Sequence, residues 1–294
     1  AIGYSLTGDT RMECLFILYG PTSRNGKGTT MESILRIMGE YGKNADPTML
    51  QAKFNSQSGG PSEEIARLAG SRFVNISEPE KKITLDAALT KRLTGNDTIT
   101  ARYLHENSFE FRPNFKIFIN TNHRPNITDL TLFESGRIKI IPFDRHFEEN
   151  EQDKDLKSTF AKPENMSGIL NWMLEGYKLF RSQGLAMPDS VVQATTDYQI
   201  FSDKMGQFFD ECIEEKEGCE LRRGAVYTRY KEWCGENGYR AEAAKNLNQE
   251  IEKRYKTARK RPNDGASSST TPMVLDVAFT ASEESKEDFA PLTS

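Results

Sequence analysis

The chain has 294 residues, with 39 Lys+Arg against 43 Asp+Glu and a formal charge of −4, and that length points to about two domains. With 36% hydrophobic and 28% charged residues the balance is globular, which excludes fibrous and collagen-like chains; the longest apolar runs, such as residues 15–19, fall far short of the roughly 18–20 residues of a membrane helix. Four cysteines (Cys14, Cys212, Cys219, Cys234) and three histidines (His105, His123, His146) show no CxxC and no zinc spacing, so the thiols read as free in a reducing compartment, and with no basic-apolar signal segment the chain reads as cytoplasmic.

Residues 14–19 form a short apolar run closed by Gly20, and Met31, Ile34, Leu35 and Met38 then recur at helical spacing, which predicts strand, glycine-bearing loop and helix. Residues 55–62 read as a loop, 63–69 as a short helix and 72–77 as a strand. Residues 85–93 look helical. Residues 98–104 and 109–111 make a hairpin around His105 to Ser108, and 115–120 and 138–141 add two strands. This alternation predicts an α/β layer architecture with a largely parallel sheet. Helical segments follow at 169–181, 191–217, 225–238 and 243–255. Residues 204–262 hold 14 Lys+Arg against 11 Asp+Glu, with Lys253, Arg254, Lys256, Arg259, Lys260 and Arg261 bunched at the end; a nucleic-acid partner is allowed by that charge. Residues 263–294 carry six acids against one base, so they read as a disordered acidic tail.

Between the first strand and the first helix lies Gly20-Pro21-Thr22-Ser23-Arg24-Asn25-Gly26-Lys27-Gly28-Thr29-Thr30. Backbone N–H groups and a helix N-terminus placed there hold phosphate oxygens, so Gly20, Asn25, Gly26, Lys27, Gly28, Thr29 and Thr30 are the candidate nucleotide contacts. Lys27 would meet the β and γ phosphates, and Thr29, or less readily Thr30, would ligate Mg²⁺. The spacing departs from the usual loop: five residues separate Gly20 from Gly26, and Gly28 follows the lysine where Ser or Thr is normal. The strand at 73–77 leads to Glu78 at a sheet's carboxyl edge, the side where ligands of open α/β sheets sit; a carboxylate there can hold metal-bound water or orient the attacking one. Asn122 emerges from the tip of the 115–120 strand. Arg137 opens the 138–141 strand from an exposed loop edge within reach of a neighbouring subunit's nucleotide.

Taken in order, Asn25-Gly26-Lys27, Ser77-Glu78, Leu93 to Arg102, Phe115 to Pro125 and Gly136-Arg137 to Phe143 resemble the superfamily 3 helicase domain of phage and plasmid primase-helicases, a group that includes the poxvirus-like carboxyl-terminal region. The resemblance spans about residues 3–150 and continues more weakly over 198–238. It implies a P-loop AAA+-like core with strand order 5-1-4-3-2, a helical connection, and a small winged-helix-like carboxyl-terminal domain, divided at 1–150, 151–203, 204–262 and a tail at 263–294. It further implies ATP and Mg²⁺ as cofactors, a homo-hexameric ring hydrolysing ATP between subunits, and a bacterial host cytoplasm with a phage, prophage or plasmid origin. By position Lys27 becomes the Walker A lysine, Glu78 the Walker B acid, Asn122 the sensor and Arg137 the arginine finger. Arg102 and His105 fall on the pore hairpin that would hold single-stranded DNA, while the carboxyl-terminal domain would hold duplex or origin DNA through Arg222, Arg223, Lys231 or the 253–261 cluster. Glu106 beside His105 departs from a basic hairpin tip. The expected activity is an ATP-driven DNA helicase. An initiator ATPase that binds DNA without unwinding it stays open, as does, more remotely, a nucleotide kinase, because Gly26-Lys27-Gly28-Thr29 also resembles the adenylate kinase loop.

Overall fold

The first apolar run becomes the strand β1 (Leu15–Tyr19), buried on both faces as a parallel strand with layers above and below must be. It leads through the loop into α1 (Lys27–Met38), whose Met31, Ile34 and Met38 face the core. β2 (Gly42–Ala45), α2 (Glu63–Ala66), β3 (Phe73–Ser77), α3 (Ala87–Thr94), β4 (Ile99–Ala101), β5 (Phe109–Phe111), β6 (Lys116–Thr121), α4 (Thr131–Glu134) and β7 (Ile138–Pro142) follow. The computed structural model describes residues 1–52, 63–77, 83–260 and 270–280.

Five strands form one parallel sheet in the order β2-β3-β6-β1-β7. Read from the β7 edge and numbered by their own succession along the chain, they run 5-1-4-3-2, the order the resemblance implies. Register is fixed by apolar partners: Ile17 of β1 lies opposite Ile119 of β6 on one side and Ile140 of β7 on the other. Alternation divides the sheet into two faces. Phe16, Leu18, Phe73 and Phe118 pack with Met31 and Ile34 of α1, and Phe118 stacks between Phe16 and Phe73 with centroids 4.8 Å away in each case. The other face buries Leu15, Ile17, Val74, Ile76, Ile117, Ile119, Ile138 and Ile140.

α5 (Leu156–Phe160), α6 (Pro163–Gln183) and α7 (Asp189–Ser202) complete this unit, which ends at Ser202. The expected helical connection at 151–203 is therefore built into the core: Met173 of α6 joins the α1-side cluster, and Tyr198 of α7 is buried in the opposite cluster. The amino-terminal turn is pinned on α6, since a Cβ on Gly3 would lie 2.2 Å from the Tyr177 nitrogen. β4 and β5 form the expected hairpin, with Ile99 opposite Phe111 and Ala101 opposite Phe109.

The second unit begins at Asp203 and runs α8 (Lys204–Cys212), β8 (Ile213–Arg222), α9 (Arg223–Glu236), α10 (Ala244–Arg254), β9 (Thr257–Lys260) and β10 (Thr271–Phe279). Its antiparallel sheet has the order β8-β10-β9, and its core is Phe208, Phe209, Val226, Tyr230, Trp233, Leu247, Ile251, Val274 and Val277. Two expectations are corrected here. The helix expected over 191–217 is two helices followed by a strand, because the charged run 214–220 has no apolar periodicity of its own and takes its conformation from pairing with β10. The disordered tail expected from 263 contains β10, the central strand of that sheet. Its Met273, Val274 and Val277 are buried, and its one acid, Asp276, sits at a register shift with φ 57°, where its carboxylate accepts from the Gly218 N–H at 3.1 Å. A bulge of this kind turns a charged side chain out of a strand that is otherwise apolar.

Candidate functional site

At the carboxyl edge of the parallel sheet, β1 runs directly into Gly20. Glycine is required there, since a Cβ would lie 2.0 Å from Asn25 Nδ2 and 2.5 Å from the Phe143 carbonyl oxygen. Asn25 closes the loop: its Nδ2 donates to the Thr22 carbonyl at 2.8 Å and its Oδ1 accepts from Lys27 Nζ at 2.8 Å. Gly26 takes φ 84° at the start of α1, a left-handed conformation that glycine adopts at no steric cost.

Lys27 is only 2% exposed. Its ammonium also donates to Asn122 Oδ1 at 2.6 Å and to the Gly20 carbonyl at 3.4 Å, hydrogen bonds that a buried cation requires. The lysine of the loop and the amide at the tip of β6 thus meet in one site. Asn122 is presented by a tight turn in which Thr121 Oγ1 accepts from the His123 N–H at 3.0 Å. On the α1 face, the apolar alternation of β3 and β6 gives way to Asn75, Ser77 and Asn120 near the same edge. Asn75 and Asn120 are buried, and the Oδ1 of each has no hydrogen-bond partner among the described residues. Two buried carbonyl oxygens left open are suited to metal-bound water.

Of the two threonines, Thr30 turns its hydroxyl back to the Gly26 carbonyl at 3.0 Å, whereas Thr29 is the residue whose carbonyl accepts from the Ser33 hydroxyl at 2.8 Å. Glu78, and Glu80 after it, lie outside the described residues. The strand leading to Glu78 ends with Ser77 opposite Asn120 of β6.

Arg124 is a site residue that the sequence did not single out. Its guanidinium lies 4.8 Å from the Tyr19 ring, 5.6 Å from Tyr198 and 5.5 Å from Phe201, and with Asn122 and His123 it lines a cavity of about 240 Å³. Burial pushes the Tyr198 hydroxyl far above the ordinary tyrosine range, so it stays a neutral donor and bonds the Pro125 carbonyl. No spacing rule marks this cluster, since α7 reaches it from far along the chain.

Arg137 is not the exposed loop-edge residue expected. Its side chain is 16% exposed and pairs with Glu13 at 2.6 Å, and it donates to Thr94 Oγ1 at 2.8 Å. It precedes β7 beside the start of β1, at the sheet's amino edge and opposite the loop. Arg102 and His105 are exposed on the β4–β5 hairpin, His105 at φ 62°, with Tyr103 anchoring the hairpin through its hydroxyl to the Ala66 carbonyl at 3.1 Å. In the second unit, Arg223 pairs with Glu252 at 2.7 Å and Arg254 with Asp203 at 3.0 Å, while Lys253 pairs with Glu250 and Lys260 with Glu220. Much of the basic bunch is therefore matched by the unit's own carboxylates. Among the described residues no group of three or more His, Cys, Asp or Glu could hold a metal, and no helix is long and apolar enough to cross a membrane.

Residues 201–282 match a family described as "Poxvirus D5 protein-like", and residues 18–137 match a family of unknown function, DUF5906. A protein named as a putative helicase in Acanthamoeba polyphaga mimivirus is 28% identical over 251 residues, covering 79% of this chain and 26% of the relative. Another so named, in Frog virus 3, is 28% identical over 233 residues, covering 74% of this chain and 24% of the relative. The chain thus spans about a quarter of the length of these relatives. Among solved structures, the apo NrS-1 C-terminal region aligns over 90% of this chain and 67% of its own, at 14% identity and a TM-score of 0.51, a likeness of fold. These likenesses are to part of viral proteins named as putative helicases and, over residues 201–282, to a poxvirus D5 protein-like family.

Proposed function

We propose that the chain is the ATPase motor of a DNA helicase, with the loop at 20–30 holding the triphosphate of ATP. The observation that carries this reading is the 2.6 Å bond between Lys27 Nζ and Asn122 Oδ1, which brings the loop's lysine and the amide at the tip of β6 together at the sheet's carboxyl edge, where ligands of open α/β sheets bind. On binding, Lys27 exchanges its carbonyl acceptors for β and γ phosphate oxygens. Backbone N–H groups of residues 25–29 and the start of α1 face the same oxygens. Mg²⁺, when bound, neutralises charge between the β and γ phosphates; Thr29 is the hydroxyl that would hold it, with Glu78 assigned to its water, and the open Oδ1 atoms of Asn75 and Asn120 suit that hydration shell. Released from Lys27, Asn122 orients the attacking water or the γ phosphate.

Arg137 cannot reach its own loop from the opposite sheet edge, so any phosphate it contacts belongs to another copy of the chain, and it must leave Glu13 to do so. A role for Arg137 at the nucleotide therefore requires a ring in which the site is completed between subunits. Arg102 and His105 are assigned to backbone contacts with single-stranded DNA, which would be salt-sensitive and largely independent of sequence. The second unit has the element order helix, strand, two helices, two strands, which supports the winged-helix-like reading. Because much of its basic bunch is already paired, its duplex contacts would draw on Lys231, Lys256 and Arg259.

The test is ATP hydrolysis with and without single-stranded DNA in wild type and Lys27→Ala, across a range of protein concentration. DNA-stimulated turnover that rises with concentration and is lost in the variant is expected; equal turnover in the two proteins would sink the proposal. Strand displacement on forked DNA then separates a helicase from an initiator that hydrolyses ATP without unwinding.

A further inference from the structure

The loop at 20–30 does not stand alone. Residues 143–147, which follow β7, run beside it as a strap held at three points, one on the end of β1 and two on the loop: the Phe143 N–H donates to the Tyr19 carbonyl at 2.7 Å, His146 Nδ1 meets the Ser23 carbonyl at 2.9 Å, and the Phe147 N–H donates to the Arg24 carbonyl at 2.9 Å. The Phe147 ring comes within 3.8 Å of where a Cβ on Gly26 would be. Over that ring lies the Arg145 guanidinium, 4.5 Å from its centroid. Arg145 pairs with Glu151 at 3.0 Å and its side chain is still 67% exposed, so the outer face of the guanidinium is open to solvent.

Strand order decides what this strap can meet. β1 lies between β6 and β7. The Lys27–Asn122 bond places the terminal phosphate on the β6 side, and the strap that follows β7 flanks the loop on the other side of β1. A nucleotide gripped by the loop with its terminal phosphate beside Asn122 can carry its remaining atoms toward β7, where the strap lies against the loop. A flat cation backed by an aromatic ring is a stacking surface for an aromatic base, and the imidazole of His146, held at Nδ1 by Ser23, keeps its other nitrogen for a ribose hydroxyl.

The geometry points to residues 145–147 as the nucleoside subsite of this loop, with the base stacked on Arg145 and Phe147 setting the plane of the stack. This rests on the nucleotide-binding reading above and adds which residues distinguish a nucleotide from a bare triphosphate. The experiment compares the affinities of Mg·ATP and Mg·tripolyphosphate for wild type, Arg145→Ala and Phe147→Leu, by calorimetry on the intact chain. Arg145 is exposed, so its removal leaves the core untouched. Arg145→Ala should weaken ATP about fivefold, in keeping with one stacking contact at an exposed site, with tripolyphosphate changed less than twofold; Phe147→Leu should shift the two ligands in the same unequal way. Equal losses for both ligands would mean that the strap only props up the loop, and unchanged ATP affinity in Arg145→Ala would place the base elsewhere; either result overturns the assignment. Wild type that binds neither ligand overturns the nucleotide reading as well, and so is told apart from the other two.

Discussion

Lys27 and Asn122 are 95 residues apart in sequence and meet at 2.6 Å, and the chemistry of the site turns on that contact. Asn122→Ala should lower ATP hydrolysis about 100- to 1,000-fold, the usual cost of removing one positioned polar group from a reacting centre, while ATP affinity stays within a few-fold; a parallel collapse of affinity would mean that Asn122 only holds Lys27 in place. Arg124 acts through its neighbours. Its stack on Tyr19, Tyr198 and Phe201 fixes the turn that carries Asn122, so Arg124→Ala should cost about 1–2 kcal/mol in urea unfolding, and unchanged stability would show the stack to be idle. Lys116, at the other end of β6, carries a pH signature. Burial lowers its pKa from 10.5 to about 8, while its ammonium donates to the Thr7 carbonyl and lies 4.4 Å from the Tyr4 ring. Between these two values the unfolded chain binds the proton that the folded chain has released, so this residue's contribution raises stability with pH across that window. Burial also raises Cys14 to about 11 and Tyr4 to about 12, and both pull the other way at the alkaline end. The informative quantity is therefore the difference from Lys116→Met, measured from pH 7 to 9.5: wild type should gain stability relative to the variant as pH rises, and a flat difference would contradict the burial argument.

Elements whose signal is local were legible before the structure. β1, its loop and α1 are written in one apolar run, one glycine and a helical spacing, and β6 and β7 in similar short runs. β8 was not, because a run of Glu and Lys becomes a strand only when Val274 and Val277 of β10 cover it from the far end of the unit, and averaging acids over the last 32 residues hid that β10 holds a single one. The site divides in the same way. The loop residues and Asn122 could be read from strand ends, whereas the burial of Arg137 depends on Glu13 and Thr94, 124 and 43 residues distant, and the Arg124 cluster depends on α7. At this scale the amino-terminal turn offers a sharp test. A Cβ on Gly3 would lie 2.2–2.6 Å from three backbone atoms of α6, so Gly3→Ala should destabilise the first unit by about 1–3 kcal/mol, as overpacking commonly does. A neutral result would mean that the turn does not dock on α6.

Across the whole molecule there are two units: one carries the loop at 20–30 on a sheet packed on both faces, the other a three-stranded sheet with its own aromatic cluster. Because β10 is the middle strand of that sheet, a chain ending at residue 260 should lose the second unit's cooperative unfolding transition, while one ending at 280 should keep it; intact unfolding without β10 would contradict the topology. The proposed completion of the site between copies would be a property of the assembly. Arg137→Ala protein should be rescued when mixed with Lys27→Ala protein, because each supplies what the other lacks to the shared site; absence of rescue in mixed oligomers would return Arg137 to a purely structural role with Glu13.

The most direct measurement for the whole account is a calorimetric titration of Mg·ATP into wild type and Lys27→Ala. Saturable binding by the wild type, weakened at least about 100-fold in the variant, is the predicted result, in keeping with the loss of a charge-assisted contact worth about 3 kcal/mol. Equal affinity in the two proteins would mean that the buried ammonium faces no triphosphate, and the motor reading would fall with it.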